Sequence, residues 1–139
     1  MAFTGNWTTN AFKTGLMDGT FNFTSGSFYL ALYTNSASLN EDTTAYTATG
    51  EASGGNYVAG GNLLTIAQAP TVGNGDIAYI SFSNTSWTGV ITARGALIYK
   101  TGANGAVCVL DFGADKTSTA TFTVQFPAIT NTSAIIRIS

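Results

Sequence analysis

Apolar side chains fill both faces of one stretch near the middle of the chain, residues 89–113. Two β-rich runs lie on either side of Thr101–Gly105, where glycine and asparagine tolerate the positive φ of a tight turn. The pattern therefore predicts a β-hairpin at the centre of a sheet. A strand with one face in water alternates apolar and polar residues. Because this hairpin does not, we expect both of its faces to be covered.

A pairing of Lys100 with Ala106 would fix the register of the hairpin. The other facing pairs would then be Tyr99 with Val107, Ile98 with Cys108, Leu97 with Val109 and Ala96 with Leu110. We expect the core of the domain to cover one face. The other face would be covered by the N-terminal helix, by a long polar loop or by a second subunit.

One stretch, residues 10–19, has the pattern of a short helix. Phe12 and Leu16 would share a face at positions i and i+4. Asn10 could cap the first turn, and Gly19 would end the helix in a left-handed conformation.

The rest of the chain is rich in short strands separated by turn signals. Phe122, Val124 and Phe126 alternate with polar residues, which predicts a strand with one face in water. Pro70 and Gly73–Gly75 mark a turn region. About eight strands are expected: two in the hairpin and the others at residues 20–24, 27–33, 62–66, 76–82, 120–126 and 133–138. This all-β pattern is typical of an antiparallel β-sandwich or jelly roll, here one domain over residues 1–139.

Residues 34–61 form a long polar stretch without a regular pattern. A connection of this length is uncommon in a compact domain unless it has a function. A flexible insertion is one interpretation. Tyr46, Tyr57 and Val58 supply anchors that a flexible linker would lack, and they favour an extended contact loop or arm.

Charged residues make up 9% of the chain, against about a quarter in a typical soluble domain. The surface must therefore be built largely from Thr, Ser, Asn, Gly and Ala. Such short side chains lose little rotamer entropy when a partner covers them, which favours a component of an assembly. A low-charge domain that joins no large assembly is the alternative.

The net charge is −2 and the basic residues form no run, so the electrostatic footprint of a nucleic-acid-binding protein is missing. No stretch approaches the roughly 18 apolar residues of a membrane span, and residues 1–13 lack the pattern of a leader peptide. We therefore expect synthesis in the cytoplasm and neither a nucleic-acid nor a membrane partner. Cys108, the single cysteine, is expected to be a small buried residue.

The chain contains no histidine, which excludes histidine-based catalytic triads and histidine metal sites. Asp111 and Asp115 could form the carboxylate pair of a glycosidase, whose two acids lie about 5–10 Å apart. However, Arg94 on the partner strand could reach Asp111, and Lys116 lies beside Asp115. We therefore interpret Asp111 as a member of a structural ion pair and predict no catalytic residue.

Two other kinds of binding site are conceivable. Glu41, Asp42 and Glu51 make the long loop the most acidic part of the chain, but their spacing does not match a calcium-binding loop. We expect solvated carboxylates there, with no metal or cofactor. Several aromatic residues could stack on sugars, although core packing and subunit contacts account for them equally well. They are Trp7, Tyr29, Tyr33, Tyr46, Tyr57 and Trp87.

Several motifs resemble those of small virion structural proteins of tailed bacteriophages. They are FYLALYT at residues 28–34, TTAY at 43–46, TGE at 49–51 with a following glycine pair, ITARGALIYK at 91–100, AVCVLDFG at 106–113 and FTVQFPA at 122–128. The resemblance covers most of the chain and includes the helix before the ALYT strand. It implies a non-enzymatic virion component. Such components include capsid decoration or cement proteins, which form dimers or trimers over gaps between major capsid subunits, and others belong to tails.

The leading hypothesis is therefore a capsid decoration or cement protein on the outer surface of the virion. Its partners would be the major capsid protein and copies of itself, as a homodimer or homotrimer. The alternatives are a tail component, such as a collar, fibre-base or tail-tip protein, and a carbohydrate-binding module. Contacts with the shell or with sister subunits are expected at Trp7, Phe12, Tyr46, Tyr57 and Val58.

Overall fold

A computed structural model describes residues 3–139 of the chain. Within these residues the chain forms one α-helix, α1 (Asn10–Asp18), one 3₁₀ turn (Asn74–Asp76) and ten strands, which are β1 (Trp7–Thr8), β2 (Tyr29–Tyr33), β3 (Asn62–Leu63), β4 (Ile66–Gly73), β5 (Ile77–Phe82), β6 (Thr85–Thr88), β7 (Thr92–Tyr99), β8 (Ala106–Thr117), β9 (Thr121–Val124) and β10 (Ile136–Ile138). The strands form three antiparallel sheets, in the orders β1-β8-β7-β2-β3, β10-β5-β4 and β6-β9. The predicted all-β, sandwich-like fold with one short helix is confirmed.

The hairpin of β7 and β8 lies at the centre of the five-stranded sheet, as its sequence predicts. Gly102 and Asn104 in its turn adopt positive φ. Tyr99 pairs with Ala106 instead of Val107, because the register shifts by one residue at the start of β8. Beyond this bulge the predicted pairs are confirmed: Ile98 with Cys108, Leu97 with Val109 and Ala96 with Leu110.

The central part of the five-stranded sheet is buried on both faces within the single chain. The larger core lies between one face, α1 and the two smaller sheets, and its fully buried large side chains are Phe12, Phe28, Leu30, Leu32, Phe82, Ile91, Ile98 and Val107. The smaller core lies on the opposite face and contains Phe3, Ala31, Tyr33, Ala37, Leu39, Leu97, Tyr99, Ala106 and Val109. The long loop supplies Ala37 and Leu39 to this second core. The hairpin therefore needs no second subunit to cover it, since the loop and Phe3 already do so.

The N-cap of helix α1 is Thr9 and not the predicted Asn10, which is the first residue of the helix. The Thr9 Oγ1 atom accepts a hydrogen bond of 3.0 Å from the Phe12 N–H and donates one of 2.8 Å to the Ala106 carbonyl. One side chain thus caps the helix and ties it to β8. The helix ends at Gly19, which adopts the predicted left-handed conformation with φ of 85°.

The predicted strand at residues 20–24 is wrong. The Asn22 side chain accepts the Thr24 N–H, and the Asn22 carbonyl accepts the Gly26 N–H, so the chain turns here. Phe21 and Phe23 are nevertheless both buried in the larger core. Their spacing of two residues, which also characterises a strand, produced the wrong assignment.

Three strands were not expected from the sequence, namely β1, β4 and β6. Strand β4 runs through Pro70, at the edge of its sheet, and its pairing with β5 shifts register between Gln68 and Thr71. An edge strand with a bulge tolerates proline because the missing N–H is not needed for pairing. Strand β6 pairs with β9 and places Trp87 in the larger core.

The close contact between α1 and residue Phe21 generates a prediction. A Cβ atom on Gly15 would lie 2.4 Å from the Phe21 ring. Gly15→Ala should therefore lower the free energy of unfolding by about 1–3 kcal/mol, although alanine favours an isolated helix by about 1 kcal/mol. Urea unfolding would measure this change, with the exposed Met17→Ala as the control near zero. A more stable Gly15→Ala variant would contradict the packing described here.

Candidate functional site

The long loop is held against the sheet by one carboxylate, Glu51. This residue forms an isolated antiparallel bridge with Tyr33 at the end of β2. The Ala52 N–H donates to the Leu32 carbonyl at 2.9 Å, which fixes the backbone beside it. Glu51 is thereby placed beside the end of β2, at the edge of the five-stranded sheet, where it is partly buried.

Three donors converge on the two oxygens of Glu51. The Tyr46 hydroxyl donates to Oε1 at 2.6 Å, and the Tyr57 hydroxyl donates to Oε2 at 2.6 Å. The Gly60 N–H donates to Oε2 at 2.7 Å. Hydrogen bonds to an ionised carboxylate are about twice as strong as those between neutral groups. Glu51 thus joins three points of the loop, and we call these four residues the Glu51 clamp.

The Glu51 clamp is connected to the sheet through tyrosine hydroxyls. The Tyr57 hydroxyl accepts the Leu32 N–H at 2.9 Å while it donates to Glu51. The Tyr99 hydroxyl donates to the Gly60 carbonyl at 2.7 Å, and the Tyr99 ring stacks on the Tyr46 ring with centroids 5.0 Å apart. Loop and sheet therefore share one continuous network of hydrogen bonds and ring contacts.

The tyrosines of this network are harder to ionise than free tyrosine. Burial, followed by the nearby Glu51 carboxylate, raises the pKa of Tyr46 and of Tyr99 to about 12. Burial also raises the pKa values of Tyr33 and Tyr57 above the ordinary value. The hydroxyls therefore remain protonated donors at neutral pH.

The tip of the loop rests on a neighbouring turn. The Asn56 N–H donates to the Thr88 carbonyl at 2.9 Å, and its side-chain oxygen accepts the Thr88 N–H at 2.8 Å. Gly55 adopts positive φ and approaches so closely that a Cβ atom would lie 2.1 Å from the Thr88 oxygen. Residues 53–59 and 88–90 together carry no charged side chain, and Val58 and Val90 are exposed there. We call these two segments the tip surface.

Three of the five predicted contact residues lie together in the long loop, and the other two lie elsewhere. Tyr46 and Tyr57 are brought together by Glu51, and Val58 lies beside them with its side chain 70% exposed. Trp7 is partly buried in β1, at the opposite edge of the sheet from β3. Phe12 is 1% exposed and packs in the larger core, so it has no surface with which to contact a partner. That expectation for Phe12 is corrected, because the whole ring faces inward from α1.

Sequence reasoning missed Glu51, which it interpreted as a solvated loop carboxylate. Glu51 could have been identified from its neighbours, because Tyr46 and Tyr57 lie within six residues on either side of it in a loop with no basic residue. A carboxylate between two phenols can be satisfied by neutral donors alone.

Asp111, one member of the carboxylate pair considered from the sequence, is bound to a basic side chain. Asp111 lies 3.1 Å from Arg94, which confirms the predicted ion pair. The Gly113 N–H first, and Arg94 second, hold the pKa of Asp111 below its ordinary value. Asp115 is exposed in a bulge of β8, where the residues from Asp111 to Lys116 face only Ala93–Gly95 of β7.

Four of the six aromatic residues considered for sugar stacking are buried or hydrogen-bonded within the chain. Trp87 is 2% exposed and Tyr33 is fully buried. The Tyr46 and Tyr57 hydroxyls are bound to Glu51. A carbohydrate-binding module that stacks sugars on Trp87 is therefore not supported.

Three further observations concern chemistry elsewhere in the chain. Cys108 is buried, as predicted, and burial raises the pKa of its thiol to about 12. Among residues 3–139, no group of three or more acidic or cysteine side chains is arranged to hold a metal ion. In the same part of the chain, no helix has the length and apolar character needed to cross a membrane.

Comparison with known proteins adds nothing to the classification by fold. The chain is an all-β, sandwich-like domain with a clamped loop. The chain matches no protein-family model, and neither a curated protein nor a solved structure is significantly similar to it.

The Glu51 clamp makes a prediction about stability. Glu51→Gln should lower the free energy of unfolding by about 1–3 kcal/mol, because charge-assisted hydrogen bonds are lost. Tyr57→Phe should lower the free energy of unfolding more than Tyr46→Phe does, since the Tyr57 hydroxyl is bound to both Glu51 and the Leu32 N–H. Urea unfolding would measure all three changes. Glu41→Gln, in the same loop, is the matched control, and equal effects of Glu41→Gln and Glu51→Gln would refute the clamp.

The raised tyrosine pKa values predict how stability depends on alkaline pH. Tyr46 and Tyr99 have a pKa of about 12 in the folded chain, against 10.0 for an unperturbed tyrosine. The folded chain therefore keeps these protons over a range where the unfolded chain loses them. Stability should be complete below pH 10 and fall as pH rises towards 12. Urea unfolding at a series of pH values would test this. In Tyr46→Phe the free energy of unfolding should decrease less between pH 10 and pH 12. A constant free energy of unfolding across this range would contradict it.

Proposed function

We propose that the chain is a non-enzymatic structural protein of a tailed-bacteriophage virion, of the capsid decoration or cement type. It would be made in the host cytoplasm and bind the outer surface of the major capsid shell, alone or as a homodimer or homotrimer. The motifs ALYT, TTAY and LDFG, which resemble those of small virion proteins, support this class.

The observation that carries the proposal is the clamped, uncharged tip surface. Association costs free energy when loops and long side chains must be ordered. Here the Glu51 clamp and the Asn56 hydrogen bonds already order the loop. The surface offers small side chains with little rotamer entropy, and Val58 and Val90 supply exposed apolar area. Such a surface suits permanent packing against a large neighbouring protein.

The proposed partner contact is therefore assigned to the tip surface and to the loop, and not to the hairpin. The apolar part of the hairpin is covered within the chain, so the proposed contact does not use it. A tail component could use the same kind of surface. Copy number separates the two roles, because a decoration protein approaches the copy number of the major capsid protein while tail components are scarce.

Quantitative mass spectrometry of purified virions tests the proposal. Virions of the phage that encodes the chain should contain it at a copy number close to that of the major capsid protein. A low copy number would favour a tail component, and complete absence from the particles would refute a virion role. Light scattering of the purified chain would test self-association, and a strict monomer at high concentration would remove the dimer or trimer from the proposal.

The assigned surface is tested by one pair of variants. Val58→Glu should weaken binding to shells that lack the chain by at least about tenfold, because a charge would be buried without a partner. Val72→Glu is the matched control, since Val72 is 66% exposed, against 70% for Val58, and lies on β4 in another sheet. Equal binding by both variants would exclude the tip surface as the contact.

A further inference from the structure

The two sheet edges that carry β1 and β10 face each other across an open groove. Strand β10 pairs with β5 on one side, and β1 pairs with β8. Among residues 3–139, no strand pairs with the other side of either one. Two adjoining cavities of about 770 Å³ and 280 Å³ lie between these edges and share Thr8, Ile135 and Arg137. We call them together the seam groove.

The β10 side of the seam groove offers unused backbone hydrogen-bonding groups. In an antiparallel pair, alternate residues direct both the N–H and the C=O away from the partner strand. Part of the backbone of Ile136–Ile138 is therefore directed into the groove and not towards β5. An exposed edge of this kind is a template for an added strand.

Part of the wall opposite β10 is apolar. Leu16 and Met17 of α1 line it, with Ile136 and Ile138 across from them. Met17 and Ile138 are exposed to solvent. An extended segment that paired with β10 would thus place alternate side chains against an apolar surface.

The charged side chains that line the seam groove are both basic. Lys13 and Arg137 line it, which are two of the five basic residues in a chain of net charge −2. No aspartate or glutamate is among the residues that line the two cavities within the described part of the chain. Lys13 contacts the Asn10 side chain and Arg137 contacts the Thr132 carbonyl, so both bind neutral acceptors. The groove therefore favours a segment that carries carboxylates.

The same charges disfavour pairing of β10 with β10 of a second copy. In a two-fold antiparallel pairing centred on this three-residue strand, Arg137 would lie directly opposite the Arg137 of the other copy. Like charges in facing positions destabilise a strand pair.

We propose that the seam groove binds an extended segment of another protein, in which apolar residues alternate with acidic ones, by adding it as a strand to β10. The segment's apolar side chains contact Leu16, Met17 and Ile138, and its carboxylates lie near Lys13 and Arg137. This goes beyond the proposed virion role and does not depend on it, because the groove and the tip surface are different parts of the molecule.

The full chain, labelled with nitrogen-15, can be titrated with the capped peptide Val-Glu-Val-Glu-Val-Glu-Val while amide shifts are followed by NMR. Shift changes should be concentrated in β10 and in the α1 residues that line the groove. The control peptide Val-Lys-Val-Lys-Val-Lys-Val should bind at least about fivefold more weakly, since attraction at both cations is replaced by repulsion. Equal binding of the two peptides, or shift changes confined to other elements, would overturn the proposal.

Charge variants of the chain sharpen this test. Lys13→Gln and Arg137→Gln should each raise the dissociation constant of the acidic peptide by about two- to fivefold. Lys116→Gln, on β8 outside the groove, is the control and should leave binding unchanged. Folding of each variant is read from the same spectra. Concentration-dependent shifts in β10 without any peptide would identify a second copy as the occupant, and would refute binding of a different protein.

Discussion

The interaction on which the rest of the structure depends is the set of hydrogen bonds received by the Glu51 carboxylate. The central sheet is apolar on both faces, so it is stable in water only if both are covered. Helix α1 and the smaller sheets cover one face. The other is covered by a polar loop with few apolar residues of its own, among them Ala37 and Leu39. Hydrophobic burial alone would hold such a loop weakly, and the Glu51 clamp adds charge-assisted hydrogen bonds that fasten it.

This arrangement explains why a charged side chain lies among tyrosines. An ionised carboxylate that is partly removed from water must be compensated by donors. Here the donors are two phenols and one backbone N–H, and Arg94–Asp111 is the one ion pair in residues 3–139. The Tyr46 ring packs on Tyr99 in the smaller core, and the Tyr57 ring packs on Trp87 in the larger core. Polar satisfaction and apolar packing are thus supplied by the same residues.

Sequence reasoning succeeded where the signal was local or repeated. The helix, the hairpin register beyond the bulge, the buried Cys108 and the ion pair of Asp111 follow from spacing and side-chain chemistry. It failed where tertiary context decided the outcome. Pro70 is compatible with a strand only because β4 lies at an edge, which is a property of the sheet order and not of the local sequence.

The candidate site was only partly predictable for a related reason. Tyr46 and Tyr57 were identified as anchors of the loop, but Glu51 was assigned to solvent because its donors meet it only after the loop folds back on the sheet. Phe12 shows the opposite error, since an aromatic residue on a helix near the N-terminus indicates a contact without indicating its partner. Its partner is the core of the same chain. The contacts of such a residue must be read from the folded chain.

The measurement that tests the central claim most directly is amide hydrogen exchange of the full chain and of Glu51→Gln. The Gly60 N–H binds the Glu51 carboxylate, and the Leu32 N–H binds the Tyr57 hydroxyl that donates to it. If the carboxylate holds the loop, both amides and the rest of residues 34–61 should exchange much faster in the variant, while the β7–β8 hairpin amides stay protected. Unchanged protection of Gly60 and Leu32 in Glu51→Gln would contradict the account.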